Sequence, residues 1–538
     1  MARRSRLDKS DTSAAGPAIA SNDEFPPLPS QVVITKPWED DASEPPMVEA
    51  TLDGLPTELL LNIIENLPAL NLKDFQLATL LSLSQTNRHF YHLVQPSLYA
   101  GYNSFFCNPY LFLRTVMSNP VAAQRVRNLN LNYGTGVHED RKQYHPTLED
   151  KRTLKGGFRG LGLLDWKTWA TECNEDGVEQ EILYAAILMH TPNVTSITVD
   201  DGKTPYQTPK WIELMGHALS GRSFEGMHKF PHLRSVSIDL GGLRLRQLST
   251  LFRVPSLQQL KLIGLVETAK PAGEKKVLKW PIANGSSHIT QLILHDCWLE
   301  TGVLTLLVNS CRALEHLHYT HRDERCFYQN GRMWWDQEGG ADESLHFDSV
   351  FDLRSLSDSL TRHRKSLRKL HLDSEDHMTS GRLHGLRDFP KLEDVRISIS
   401  GLIDISLSAL KRIATVQPDS LIENLPPSLS ELVLEMNWIE KNKRLASGRA
   451  VEYLAANCLE MLPLLKRVSI LCDVAPFEAA FKRVPTLFSE AGVVFRASFK
   501  DVKYQRGIVE EDSDDTSDES IELSEFESES ESEGSGSE

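Results

Sequence analysis

The hexapeptide LRKLHL, residues 367–372, decides how the rest of the chain is read. Its form, apolar-x-x-apolar-x-apolar, occurs ten times. The copies are VRNLNL from residue 126, VTSITV from 194, LRSVSI from 233, LQQLKL from 257, ITQLIL from 289, LEHLHY from 314, LRKLHL from 367, LEDVRI from 392, LSELVL from 429 and LKRVSI from 465. The last four positions alternate polar and apolar, as a half-buried strand does. The first apolar residue turns the chain into that strand. Pro192, Pro231, Pro255, Pro390, Pro427 and Pro463 stand just before six of the copies as turn signals. Between copies lie helix-like stretches such as Glu179–His190, Val303–Asn309 and Val451–Leu462. Strand, loop and helix in repetition predict an α/β fold: an irregular solenoid with a parallel strand face along one side.

The phrase resembles divergent leucine-rich repeats. The copies are 24 to 68 residues apart, and the tightest spacings, 24 and 25, fit a repeat of roughly 20–29 residues. The Asn that usually follows the third Leu is kept at Asn132, whereas Asp200, Asp239, His295 and Asp373 stand at the comparable places. The ladder that Asn completes is therefore expected to be irregular.

A second patterned stretch, Leu55 to Tyr99, precedes the repeats. Pro56 suits a first helical turn and Glu58 favours the positive end of its dipole. Leu59, Leu60, Ile63, Ile64 and Leu67 then form one apolar stripe, and Pro68 closes the helix. Asp74 is read as the cap of a second helix carrying Phe75, Leu77, Leu80, Leu81 and Leu83. Thr86 is read as the cap of a third, with Phe90, Leu93 and Val94 on one side, stopped by Pro96. Three short apolar helices cannot bury such a surface alone.

That stretch resembles an F-box of the kind common in fungal proteins. The resemblance rests on Leu55, Pro56, Glu58, Leu59, Leu60, Ile63, Ile64, Leu67, Leu83, Thr86, Arg88, Phe90, Leu93, Pro96, Leu98 and Tyr99. Ser84 and Gln85 depart from it, standing where the family often has Val or Cys. The resemblance implies docking on a Skp-family adaptor of a cullin ubiquitin ligase. Leu55, Pro56, Leu59, Ile63, Leu67 and Leu83 would supply apolar contacts and Glu58 the rim. The other reading is an ordinary helical cap on the larger domain.

The chain thus divides into a leader (1–50) rich in Ser, Ala, Pro and charge and read as disordered, the three helices (51–99), a linking helical segment (100–125), the repeat region (126–500) and an acidic tail (501–538). In the linking segment Tyr110, Leu111, Leu113, Val116 and Met117 form a stripe after Asn108 and Pro109. Two insertions interrupt the repeats. The first, 134–177, is polar and Gly-rich and is read as a flexible loop. Its GGFRGLG (156–162) lacks the preceding strand and following helix of a phosphate-binding loop. The second, 321–347, carries Phe327, Tyr328, Trp334 and Trp335 among charges. Two readings stand for it: binding anchors, or a loop packing on its own scaffold.

Bulk properties exclude several classes. The net charge of −16 is concentrated at one end: residues 510–538 hold 14 acidic and no basic side chains, leaving 58 basic against 60 acidic elsewhere. The body is no broadly basic nucleic-acid binder. No apolar run suits a membrane span, and MARRSRLDKSDTS lacks the apolar core of a secretory signal. Seven scattered cysteines without a CxxC pair point to reduced thiols in cytoplasm or nucleus. His316, His318 and His321 with Cys326 raise a metal reading, but no carboxylate or Cys completes a set at ligand spacing, so neither metal nor cofactor is expected. Ser residues in the tail precede acidic ones, as in substrates of acid-directed kinases. The tail suits either a basic, histone-like partner or no partner at all.

The reading that follows is a non-catalytic substrate receptor that holds an unidentified protein on its strand face. The candidate contacts are Gln259, Lys261, Gln291, His316, His318, Lys369, His371, Asp394, Arg396 and Glu431, with Trp334 and Trp335 from the second insertion. Its rival is a scaffold or chromatin-associated binding protein acting outside a ligase.

Overall fold

The structure is a computed structural model that describes residues 52–65, 67, 73–133, 144–175, 177–200, 208–220, 227–239, 245–267, 278–321, 351–373, 379–403, 406–407, 414–415, 417, 419–436, 441–472 and 481–499. The chain falls into two compact units, Met1–Leu60 and Leu61–Glu538.

Each of the ten phrases becomes a strand that starts two residues after its first apolar position. These are β2 (Asn128–Asn132), β3 (Ser196–Asp200), β4 (Ser235–Asp239), β5 (Gln259–Ile263), β6 (Gln291–Leu299), β7 (His316–His321), β8 (Lys369–Asp373), β9 (Asp394–Ser398), β10 (Glu431–Met436) and β11 (Arg467–Cys472). Two further strands that lack the phrase flank them, β1 (Gly101–Asn103) and β12 (Val494–Phe499). The order in the sheet is the order in the chain, and a two-residue strand, Val266–Glu267, makes the sheet 13-stranded. Every neighbour pairing along this series is parallel.

One contact sets the register. The carbonyl at the second position of each phrase accepts two backbone N–H groups from the next phrase. Thus Arg127 O accepts from the N–H groups of Thr195 (2.7 Å) and Ser196 (3.0 Å), Glu315 O from Arg368 (2.8 Å) and Lys369 (3.0 Å), and Ser430 O from Lys466 (2.8 Å) and Arg467 (3.1 Å). The prolines gain a specific role here. Pro192, Pro231, Pro255, Pro390, Pro427 and Pro463 each occupy the second position of a four-residue turn, where a fixed φ near −65° is favoured. The turns close with N–H···O bonds such as Val194 to Thr191 (3.4 Å), Leu392 to Phe389 (3.2 Å) and Leu465 to Leu462 (3.0 Å).

The alternation then sorts side chains. The apolar strand positions, for example Leu317, Leu370, Val395 and Leu432, are fully buried, and so are leading residues such as Leu314 and Leu367. They share one continuous core with helix residues such as Leu183, Trp211, Leu304, Leu356, Leu454 and Phe488. Of the expected helices, Glu179–His190 is helical from Gln180, Val303–Asn309 lies within Thr301–Ser310, and Val451–Leu462 is the end of a longer helix, Lys441–Met461.

Several expectations need correction. The linking segment holds α4 (Pro109–Ser118, capped by Asn108) and α5 (Pro120–Arg125), but its residues 101–103 form the first strand of the sheet. The insertion at 134–177 is no loop over its described part. It folds into α6 (Leu148–Gly160) and α7 (Trp166–Glu172), with Leu154, Phe158 and Leu163 buried. The Gly-rich string closes α6 at Gly160 and runs two residues beyond it. A Cβ on Gly157 would meet Met117 Cγ and Sδ at 2.8 Å, so its glycine permits a close approach of α6 to α4.

In the N-terminal helices α1 is Thr57–Glu65, α2 Lys73–Thr86 and α3 Arg88–Leu98. Asp74 lies inside α2 and Thr86 ends it. Asn87 caps α3, its Oδ1 accepting the Phe90 N–H at 2.8 Å. Pro96 does not stop α3 but lies inside its last turn, at the cost of the one backbone bond its N–H would have made. Pro68 falls outside the described residues, as do the leader, residues 322–350 and the tail.

Asp150 fastens α6. It completes a capping box with Thr147, accepts the Tyr144 hydroxyl at 2.6 Å and pairs with Arg114 at 2.9 Å. Burial pushes its carboxyl up, but the hydrogen bonds from Tyr144, Thr147 and Arg114 outweigh burial and hold it well below the carboxylate range. Asp150→Ala is expected to lower stability by about 2 kcal/mol, combining a lost cap and a lost charged hydrogen bond, as read by urea denaturation.

His190 adds a pH dependence. Burial, with His228 nearby, lowers it from 6.5 to about 4. The fold therefore favours the neutral ring; this contribution is full above pH 6.5 and is lost as pH falls towards 4. Melting temperature should decline through that window, and His190→Phe should flatten part of the slope.

Candidate functional site

Two surfaces carry the candidate residues. The first is on the N-terminal helices. On α1, Leu59 is 49% and Ile63 45% exposed, one helical turn apart, while Leu60 and Ile64 are buried. Leu61 and Leu81, which the sequence reading left out of the contact set, are also exposed. Pro56 and Glu58 are exposed and Leu55 is half-buried. Leu67 and Leu83 differ from the other candidates. They are partly buried and pack, with Leu93 and Leu98, on a small cluster of Ile64, Leu80 and Val94.

The second surface is the polar face of the sheet. Parallel register places the candidates in two adjacent rows. Gln259, Gln291, His316, Lys369, Asp394 and Glu431 form one row, each paired with the next. Lys261, Ile293, His318, His371, Arg396 and Val433 form the other. All ten strand candidates therefore share one face, interrupted by half-buried Ile293 and Val433. Trp334 and Trp335, with Phe327, Tyr328 and Cys326, lie outside the described residues.

The rows converge on a group of histidines. His318 is directly opposite His371, and His316 precedes His318 by two on the same face. Ring centroids are 5.3 Å apart for His318–His371, 5.5 Å for His316–His371 and 4.3 Å for His295–His318. Burial lowers His316 to about 4, with His371 and Lys369 adding to the effect. Burial likewise lowers His318 to about 3, aided by His295, His371, His316 and Arg396. Both rings are thus neutral at physiological pH, each with a nitrogen lone pair.

Carboxylates border the group. Asp394 Oδ2 lies 3.0 Å from His371 Nε2 and 3.9 Å from Lys369 Nζ. Burial pushes the Asp394 carboxyl up, but His371, Lys369 and His316 outweigh burial and lower it. Arg396 Nε donates to Glu435 Oε1 at 2.7 Å and its Nη2 lies 3.7 Å from Asp373. Glu435, a fully buried carboxylate at the end of β10, was missed in the sequence because it follows the phrase rather than belonging to it.

The sequence also missed that His371 joins His316 and His318. Ligand spacing along the chain points to His321 and Cys326 instead. The partner lies on the next strand, 53 residues from His318. Aligning LEHLHY over LRKLHL would have put the two fifth-position histidines together.

A scan against protein families and a search of curated proteins each found no match for the chain.

Arg396 is the cation facing buried Glu435. Arg396→Ala should destabilise the protein by about 3 kcal/mol, because removing one partner of a buried pair costs more than the pair contributes. Arg396→Met combined with Glu435→Met should recover most of that loss in thermal unfolding.

Proposed function

We propose that the chain is a non-catalytic substrate receptor of a cullin ubiquitin ligase. It would dock a Skp-family adaptor through α1–α3 and hold a protein substrate on the polar face of its sheet. The observation that carries the reading is the pair Leu59 and Ile63, aliphatic side chains turned to solvent on one helix. Burying such a side chain is worth about 1.5–3 kcal/mol, less the ordering cost of association. The F-box resemblance of Leu55–Tyr99 gives that exposure a purpose, with Leu55 and Pro56 as further contacts that the resemblance implies and Glu58 at the rim.

The strand order supports a leucine-rich-repeat solenoid for the remainder. Each unit adds one parallel strand beside the last, as repeats that contact only their neighbours do. The mixed charges of the two rows suit a polar protein surface and assign no sign to it. No bond-breaking chemistry is asked of this chain, because ubiquitin transfer belongs to other subunits of such a ligase. The compartment follows from where that ligase works, the cytoplasm or nucleus. Among the described residues, no helix is long and apolar enough to cross a membrane.

Leu59→Asp with Ile63→Asp tests the docking. Both positions are exposed, so the double variant should melt within about 1 kcal/mol of the parent while losing co-purification with adaptor and cullin. Retention of both partners by the folded variant overturns the proposal. Recovery of adaptor without cullin from the parent favours a scaffold outside a ligase.

A further inference from the structure

We propose that His316, His318 and His371 form a zinc(II) site on the polar face of the sheet. This is independent of adaptor docking, since it uses only strands β7, β8 and β9.

Geometry carries the inference. The three histidines each offer one ring nitrogen, and these atoms lie within 4.8 Å of one another, the one such group among the described residues. A point therefore exists within about 2.8 Å of all three, the circumradius of an equilateral triangle with that edge. Zinc–imidazole bonds are about 2.0–2.1 Å, so each ring needs to move inward by roughly 0.7 Å, within the reach of a small side-chain rotation. The backbone that presents the rings is fixed by the strand ladder, with His318 and His371 as direct cross-strand partners.

The surroundings favour a cation over a stack of rings. His316 Nε2 is buried and accepts or donates no hydrogen bond in the structure, which is costly unless a partner arrives. Asp394 Oδ2, 3.0 Å from His371 Nε2, puts a carboxylate beside the group, where it can hold the ring nitrogen that does not take the metal. The two basic side chains nearby are each matched: Lys369 faces Asp394, and Arg396 is held by Glu435 and Asp373. His295, close to His318, hydrogen-bonds Thr320 Oγ1 at 3.4 Å and lies outside the triad. An imidazole set with no thiolate suits zinc among the metals of a reducing compartment. Three protein ligands leave a fourth position open to water or to a group on a bound partner.

The test uses the full-length chain freed of metal by chelator dialysis. Titration with cobalt(II) should give visible ligand-field bands of tetrahedral intensity that saturate at one equivalent and are displaced by zinc(II). His316→Gln, His318→Gln and His371→Gln should each weaken binding at least tenfold, and Asp394→Asn about 10–100-fold. X-ray absorption at the zinc edge of the loaded parent chain should show a nitrogen and oxygen shell with imidazole scattering, and needs no variant to fold. No saturable binding, a sulfur shell, or the same affinity in a folded His318→Gln variant overturns the proposal. The last outcome would assign the metal to the acidic tail or to a cysteine.

Discussion

The shared carbonyl at the second position of each phrase is the contact on which the rest depends. One oxygen accepts two N–H groups from the next unit, as at Arg234 with Gln258 and Gln259, both at 2.9 Å, and at Arg368 with Glu393 (2.8 Å) and Asp394 (3.1 Å). A parallel sheet has period two along each strand, so a slip of one residue would turn every buried Leu to solvent. The bifurcated bond starts each strand at the same step. The leading apolar residue, buried at once behind the proline turn, prevents the slip. Units joined in this way depend on their immediate neighbours, whatever the length of chain between them. That is why β7 and β8 pair in register although 29 residues between them, 322–350, lie outside the described structure.

This contact also explains what the sequence made legible. All ten phrases were readable because each carries its own burial pattern: three apolar positions at fixed offsets, all required by the core. The flanking strands were not. Gly101–Asn103 has one buried side chain, Tyr102, between an exposed and a half-buried neighbour, and Val494–Phe499 begins with an exposed valine. A terminal strand pairs on one edge only and needs less apolar surface. The helices α6 and α7 were hidden by composition. Glycine usually argues against a helix, and only Met117, some forty residues earlier, explains Gly157. Thr86 and Asn87 are both of capping type and stand side by side; Asn87, the stronger cap by type, is the one whose Oδ1 accepts the Phe90 N–H.

The candidate sites follow the same logic. Neighbouring strands lie about 4.8 Å apart, so residues remote in sequence become adjacent wherever they share a phrase position. Phrase position is therefore the coordinate that matters, and distance along the chain is not. Reading the ten candidate residues by phrase position places them all on one face, as the structure does. Reading the histidines by chain distance concealed the triad. Glu435 was out of reach for either method, since its burial depends on Arg396 crossing from β9.

The two candidate surfaces differ in how each is held, and this separates their roles. The histidine face is laddered on both sides. Its side chains project from strands whose opposite face is packed into one continuous core, and each nearby charge already has a partner. A ligand on such a surface would meet fixed positions at little cost in entropy. Among the described side chains, α1–α3 bury Leu60, Ile64, Leu80, Phe90 and Val94, with Leu67 and Leu83 packed on the cluster of Ile64, Leu80 and Val94. Helices that bury so few side chains gain little stability from them, and Leu59, Leu61, Ile63 and Leu81 stand exposed to water. A covering partner would relieve both conditions, adding apolar burial where the chain has least. The stability of these helices and their affinity for a partner would then be one linked quantity.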